Sequence, residues 1–303
     1  MSPREIPYTI VDAFTKDAFA GNPAAVIVLD NDNDIADDCK QRIATEFNLS
    51  DTAYCSKTGD GDDIFDLCWF TPADEISLCG HATLATAHVI LAAAQGSERT
   101  ITFRTRRAGN LVVSKTATGL LEMALPAGSP DPPPEGLLER VKDAVAKALS
   151  SDASLKSIVE DIAIGPQGPP YWNYLVIRIS DAVDLKSLVV NAEPLAQLAP
   201  YAVICFTNGP PESLRNSGVH FFSRVFAPLY GVNEDPVCGS AHGILAPYWT
   251  KLLGVAGQAL IVKQVSARGG DLELEWIEEA NMVKFRGHAT TVAKGTILLP
   301  TES

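Results

Sequence analysis

Two Cys-Gly dipeptides, each followed by a run of small residues, are the positions in this sequence best suited to chemistry. The first lies in LCGHATLATAH, with Cys79 and Gly80, and the second lies in VCGSAHGIL, with Cys238 and Gly239. A helix that begins at such a glycine presents free backbone N–H groups and the positive end of its dipole, and both favour carboxylates or oxyanions. A thiol at a helix start also has a lowered pKa. The motifs predict two anion-binding helix starts, with cysteine available as an acid or base.

An internal repeat surrounds the two dipeptides and indicates the elements that position them. Upstream, FTP at 70–72 matches FAP at 226–228; downstream, RAGNLVV at 107–113 matches RGGDLEL at 268–274. A basic residue, a glycine-containing turn and an alternating strand therefore recur in the same order. We predict one duplicated unit of helix and sheet.

Domain boundaries follow from composition. The proline-rich PAGSPDPPPEG at 126–136 suits an extended connector better than a helix or strand. We predict an N-terminal half at 1–127, a linker at 128–134 and a C-terminal half at 135–285. The last segment, 286–303, is expected to form a strand that can join the N-terminal half. In the first half, ATLATAHVILAAA at 82–94 is apolar on nearly every face, which is typical of a helix enclosed by a sheet.

The two helix starts carry further polar residues whose roles are predicted separately. Ser240 is a good N-cap candidate for the second helix, and Pro247 is expected to end or kink that helix. His88 is interpreted as a structural residue. For His242 the sequence leaves a site role and a packing role open.

Charge and motif content exclude several classes of function. The net charge of −13, from 24 basic and 37 acidic residues, argues against nucleic-acid partners, because these require a basic surface. The chain lacks a signal-peptide pattern and an apolar run of the roughly 20 residues that a membrane span needs. Its six cysteines form no Cys-x-x-Cys pair, and phosphate-loop, dinucleotide and His-Glu-x-x-His motifs are absent. We expect a soluble cytoplasmic protein with no cofactor and no metal.

Four motifs together resemble one known family. AGNPAAV at 20–26, TEFNLSDTAY at 45–54, LCGHATLATA at 78–87 and NEDPVCGSAHGILAPYW at 233–249 are similar to the PhzF family of phenazine-biosynthesis-like isomerases. They occur in the order and at the spacing of that family, over essentially the whole chain. The resemblance implies an α+β fold of the diaminopimelate-epimerase type: two pseudo-symmetric halves, each a sheet wrapped around a central helix, with the active site between them. It also implies a homodimer.

The resemblance further implies site residues and an activity. Glu46 would be the general acid/base, His81 and Asp235 would assist it, and the substrate carboxylate would be bound by Asn22, Gly80, Gly239 and Ser240. A carboxylate that faces a partly buried cleft has its pKa raised by desolvation, so it can exchange a proton near neutral pH. The predicted function is a cofactor-independent isomerase that moves a proton on a small anionic, carboxylated metabolite.

Two other functions remain open at this point. Cys79 and Cys238 match the paired thiols that related racemases and epimerases use on either side of a planar carbanion, although each could equally be a small packing residue. A protein that binds a metabolite without catalysis is the alternative from another functional class.

Overall fold

The structure is a computed structural model that describes residues 4–92, 99–149 and 153–299. The chain forms two compact units: Met1–Ala124 with Arg286–Ser303, and Leu125–Phe285. Many strands and few helices give the α+β composition that the sequence predicts. No helix among the described residues has both the length and the apolar character needed to cross a membrane.

Seventeen strands and four α-helices are present in the described residues. In chain order they are β1 (Arg4–Ala13), β2 (Asn22–Leu29), α1 (Asp37–Phe47), β3 (Asp51–Lys57), β4 (Ile64–Phe70), β5 (Glu75–Ile76), α2 (Gly80–Ala92), β6 (Thr100–Thr105), β7 (Asn110–Lys115), β8 (Leu121–Pro126), α3 (Leu137–Ala148), β9 (Val159–Ile164), β10 (Tyr174–Ile179), β11 (Val203–Asn208), β12 (Phe221–Ala227), β13 (Val232–Asp235), α4 (Gly239–Leu253), β14 (Leu260–Gln264), β15 (Gly270–Ile277), β16 (Met282–Gly287) and β17 (Ala289–Leu299).

The first unit is a mixed sheet packed against α2. Strands β1–β2, β3–β4, β4–β5, β6–β7 and β7–β8 pair antiparallel, whereas β2–β3 and β4–β6 pair parallel. β17, from the C-terminal end of the chain, pairs antiparallel with β1 along its whole length. Helix α2 carries small apolar residues around its circumference, and all residues from His81 to Ala87 are buried. The last two residues of the predicted helical run, 93 and 94, lie outside the described residues.

The second unit repeats the pairing directions of the first. β9–β10, β11–β12, β12–β13 and β14–β15 are antiparallel, and β10–β11 and β12–β14 are parallel. The element between β10 and β11 is a 3₁₀ helix, Glu193–Leu198, where the first unit has α1. Helix α4 occupies the same place in the order of elements as α2, and both follow a Cys-Gly dipeptide.

Helix α4 does not end at Pro247, the first of the two outcomes, an end or a kink, that the sequence led us to expect. Proline has no N–H to donate to the carbonyl four residues earlier, which belongs to Gly243. That carbonyl accepts a hydrogen bond from Gly128 N at 2.9 Å instead, so the proline leaves no unpaired acceptor there. Gly243 has no side chain, and the Tyr171 ring occupies the adjacent space, with its hydroxyl donating to Pro126 O at 2.6 Å.

Replacement of Gly243 by Ala is expected to lower the free energy of unfolding by about 1–3 kcal/mol, because overpacking forces a shift of neighbouring atoms. A Cβ at this position would overlap the Tyr171 hydroxyl. Thermal denaturation measures the loss, and the Tyr171→Phe change should recover part of it in the double variant. A Gly243→Ala protein as stable as the wild type would contradict this account of the packing.

Candidate functional site

A buried cluster of three polar side chains lies at the start of α2. Asp51, the first residue of β3, Cys79, just before the helix, and His81, in its first turn, are each 5–6 % exposed. The Cys79 thiol donates to Asp51 Oδ2 at 3.2 Å, and its sulfur lies 3.4 Å from His81 Nδ1. His81 Nε2 lies 3.4 Å from the same Asp51 oxygen. A carboxyl group, a thiol and an imidazole, all of which can exchange protons, are therefore in mutual contact.

His81 is neutral in this cluster. Burial lowers the pKa of its imidazole to about 4, although a hydrogen bond with the Pro23 backbone acts in the opposite direction. A neutral imidazole has one N–H donor and one acceptor nitrogen, so it can give a proton at one edge and take one at the other. The N–H of Ala82 donates to the Cys79 sulfur at 3.4 Å, so the thiol satisfies one of the backbone donors that a helix start leaves without a partner in the helix.

The same three side chains are donor types that a zinc ion accepts, and their ligand atoms lie within 4.8 Å of one another. The positive end of the α2 dipole opposes a cation at this place, whereas it favours a carboxylate. An anionic ligand fits the helix start better than a metal does.

Glu46, the acid/base residue implied by the resemblance, is not one of the three side chains of this cluster. It is exposed on the last turn of α1, and the partial burial expected of it is not found. The helical period explains its position: α1 turns Lys40, Ile43 and Ala44 inward, which leaves Glu46 on the solvent side. Among the other predicted residues, Asn22 begins β2 fully buried and Gly80 is the first residue of α2.

The start of α4 in the second unit carries a second thiol and a second carboxyl group. Cys238 occupies the N-cap position, with no side-chain capping bond, and Gly239 begins the helix, so the expectation that Ser240 is the N-cap is wrong. Ser240 instead accepts a hydrogen bond from the Tyr174 hydroxyl at 2.8 Å, and its own oxygen lies 3.3 Å from Cys238 Sγ.

Asp235 and Cys238 have strongly perturbed acidities. Burial raises the pKa of the Asp235 carboxyl to about 6, although hydrogen bonds from Val237 N–H and the Cys238 thiol act in the other direction. Burial and then the nearby Asp235 charge raise the pKa of Cys238 to about 12. The expected lowering of the thiol pKa at a helix start is therefore overcome at Cys238, which is protonated at neutral pH. Asp235 is the group that can titrate near neutrality.

The contacts of His242 are those of a packed, hydrogen-bonded side chain. Its ring is fully buried, and burial lowers its pKa to about 4. Nδ1 lies 2.7 Å from Cys238 O and Nε2 lies 3.0 Å from Ser223 Oγ, so the neutral ring donates to the carbonyl and accepts from the hydroxyl. His88 contacts Thr291 Oγ1 at 3.1 Å.

Sequence reasoning did not identify Asp51, Tyr174 or Gln264 as parts of these clusters. Asp51 stands at the head of an otherwise uncharged run, DTAYCS, all of which is buried. Gln264 ends the strand LIVKQ, in which alternate residues are buried, so its amide falls on the inner face. A polar residue on a buried strand face requires hydrogen-bond partners. The presence of Asp51 and Gln264 in such strands was therefore the sequence feature that could have indicated their roles.

Comparison with known proteins gives a consistent result. The sequence profile of a family described as "Phenazine biosynthesis-like protein" matches residues 11–295. This chain belongs to the phenazine biosynthesis-like (PhzC-PhzF) family. A phenazine biosynthesis-like domain-containing protein of Homo sapiens is 37% identical to it over 306 residues, covering 97% of this chain and 99% of the human protein.

Two bacterial relatives extend the likeness within the phenazine biosynthesis-like family. An uncharacterized isomerase of Pseudomonas aeruginosa is 38% identical over 291 residues, covering 95% of this chain and 97% of the relative. The crystal structure of a PhzF family protein from Enterococcus faecalis matches with a TM-score of 0.80 at 34% identity, covering 98% of this chain and all of that one. The family predicted from the four sequence motifs is confirmed.

Proposed function

We propose that this protein is a cofactor-independent isomerase that moves a proton on a small carboxylated metabolite, with Asp51 and His81 as its principal acid/base groups. The Asp51–Cys79–His81 cluster is the observation that carries the proposal, because it places a carboxyl group and a neutral imidazole at the start of a helix. The description of a Pseudomonas aeruginosa relative as an isomerase supports the reaction class.

Each group has a defined task in the proposed reaction. The backbone dipoles at the start of α2 attract the substrate carboxylate and stabilise the negative charge that develops when an adjacent carbon loses a proton. Asp51 takes that proton, and His81 hydrogen-bonds to the resulting anion. The proton then returns to a different atom of the substrate, so the product has the same formula and no electron acceptor is consumed.

Asp235 is the acid/base group that we propose for the start of α4. A carboxyl group is most effective as both acid and base when its pKa lies near the working pH, and burial raises the pKa of Asp235 to about 6. The Ser240 oxygen accepts a hydrogen bond from the Tyr174 hydroxyl, so the hydroxyl proton of Ser240 points away from Tyr174. We propose that Ser240 donates this proton in a hydrogen bond to an anionic substrate.

The proposed function is tested by incubating the protein with a panel of small carboxylic acids in heavy water and measuring deuterium at carbon by mass spectrometry. We expect at least one compound to gain deuterium at a rate proportional to protein concentration. A compound that binds tightly without any exchange, in an otherwise inactive panel, would support a metabolite-binding protein instead.

Epimerisation by two thiols is a second candidate, because Cys79 and Cys238 both lie at helix starts and Ala82 N–H points at the Cys79 sulfur. We nevertheless expect the Cys79→Ala/Cys238→Ala protein to keep its isomerase activity within about tenfold, since the proposed proton transfers use Asp51, His81 and Asp235 and neither thiol. Deuterium exchange with the substrate identified above measures this activity. Complete loss in a folded double variant, together with inactivation by an alkylating reagent, would favour the two-thiol mechanism.

A further inference from the structure

Asp235 is held on a turn whose backbone groups are bound by side chains from neighbouring elements. The turn joins β13 to α4. Gln264 Nε2 donates to Asp235 O at 2.6 Å, and Gln264 Oε1 accepts from Cys238 N at 2.9 Å. One carboxamide therefore bridges both ends of the turn. Gln264 is only 1 % exposed, so water does not compete for these two hydrogen bonds.

Two further carbonyls of the turn, those of Pro236 and Cys238, are also paired. Ser266 Oγ donates to Pro236 O at 2.7 Å, and His242 Nδ1 lies 2.7 Å from Cys238 O. His242 is in turn fixed by Ser223, the residue opposite Gln264 in the β12–β14 register. This network fixes the position from which the Asp235 side chain projects.

The corresponding register of the first unit has a different arrangement. When Phe70 is matched with Phe226, the pair that corresponds to Ser223–Gln264 is Leu67–Thr105, and the Thr105 hydroxyl donates to Gly109 O at 2.8 Å within its own hairpin. The carboxyl group of that unit, Asp51, belongs to strand β3 and needs no such bridge, because the sheet itself holds its backbone. The Gln264 bridge is thus found in the second unit, where the carboxyl group of Asp235 lies on a turn and no sheet among the described residues holds its backbone on both sides.

We propose that Gln264 is a positioning residue for Asp235, whose carboxamide bridge holds the turn at the geometry that proton transfer requires. The proposal rests on the proposed acid/base role of Asp235. Its physical basis is preorganisation: a displacement of about 1 Å in a reacting group can reduce a rate by about a hundredfold.

Two variants separate positioning from mere stability. In Gln264→Glu, an ionised carboxylate can still accept from Cys238 N but repels the Asp235 carbonyl; once protonated, it can donate again. In Gln264→Met both hydrogen bonds are lost at every pH. The matched control is Gln41→Glu, because Gln41 Nε2 also donates to a backbone carbonyl, that of Thr71 at 2.9 Å, in the first unit.

We expect kcat for deuterium exchange to fall by about ten- to a hundredfold in Gln264→Glu above the pKa of the new carboxyl, with KM changed less than about threefold. The rate should recover as that carboxyl is protonated, whereas Gln264→Met should stay slow at all pH values. Gln41→Glu should stay within about twofold of the wild type. Folded Gln264 variants with unchanged kcat at every pH would overturn the proposal.

A second readout needs no substrate, so it separates failure of this proposal from failure of the proposed function. The carboxyl carbon resonance of Asp235, assigned by its absence in Asp235→Asn, is followed by NMR as a function of pH. We expect its titration to move to higher pH in Gln264→Glu, because a second carboxylate joins the turn, and to stay in place in Gln41→Glu. An Asp235 titration that is the same in the wild type and both folded Gln264 variants would refute the bridge.

Discussion

Replacement of Asp51 by Asn is expected to reduce proton exchange by at least about a hundredfold, the scale of losing a general acid/base. Asn has nearly the same shape and its carbonyl can still accept from Cys79, but it cannot take a proton from the substrate. The contacts of Asp51 with Cys79 Sγ at 3.2 Å and His81 Nε2 at 3.4 Å place it in the cluster where we propose the chemistry. Deuterium incorporation at saturating substrate measures the change.

Glu46→Gln is the matched control for this experiment, since it also neutralises one carboxylate of the first unit. Glu46 is exposed on the last turn of α1 and is not part of the proposed cluster, so we expect its variant to keep activity within about threefold. Thermal denaturation checks that both proteins are folded. An inactive Glu46→Gln enzyme beside an active Asp51→Asn enzyme would return the acid/base role to Glu46, as the resemblance implies.

Local sequence patterns were sufficient to predict the elements that begin at the two Cys-Gly dipeptides. Cysteine and glycine followed by small, mostly apolar residues favour a helix that is buried on most sides, and α2 and α4 both begin at that glycine. The passage of α4 through Pro247 was not predictable in this way. It depends on Gly128, which is distant in sequence and supplies the N–H that proline lacks.

The site was only partly predictable for a similar reason. His81, Cys79 and Asp235 stand inside recognisable motifs, whereas the choice between Glu46 and Asp51 depends on which side of α1 faces the sheet and on the strand that begins five residues later. A helix start favours an ionised thiol, but the burial of Cys238 and its distance from the Asp235 charge are properties of the folded chain. Burial and contacts of this kind arise only when the chain folds, so local sequence patterns do not reveal them.

Asp235→Asn is expected to lower activity by at least about a hundredfold and, at the same time, to stabilise the protein above pH 6. The loss of activity follows from removing a carboxyl group that we propose exchanges a proton with the substrate. The gain in stability follows from linkage. Burial raises the pKa of Asp235 from 3.8 to about 6, so the folded protein holds this proton more tightly than the unfolded chain does.

The raised pKa makes Asp235 destabilising once its carboxyl ionises. Below pH 4 the carboxyl is protonated in both states and contributes no difference. As the pH rises from 4 to 6 the unfolded chain ionises first, which favours unfolding, and above pH 6 the folded protein carries the full penalty of a partly buried charge. Asn never ionises, so the variant should gain about 1–2 kcal/mol at pH 8, after allowance for partial exposure, and nothing at pH 4.

Urea denaturation of wild type and Asp235→Asn at both pH values measures this difference. A variant that is inactive and more stable at pH 8, but equal to the wild type at pH 4, would identify Asp235 as a group retained for chemistry at the expense of stability, as expected for an active site. Equal stability at both pH values would mean that the fold already accommodates the ionised carboxyl. In that case its pKa would lie too low for efficient proton exchange near neutrality, and the acid/base role would rest on Asp51 and His81 alone.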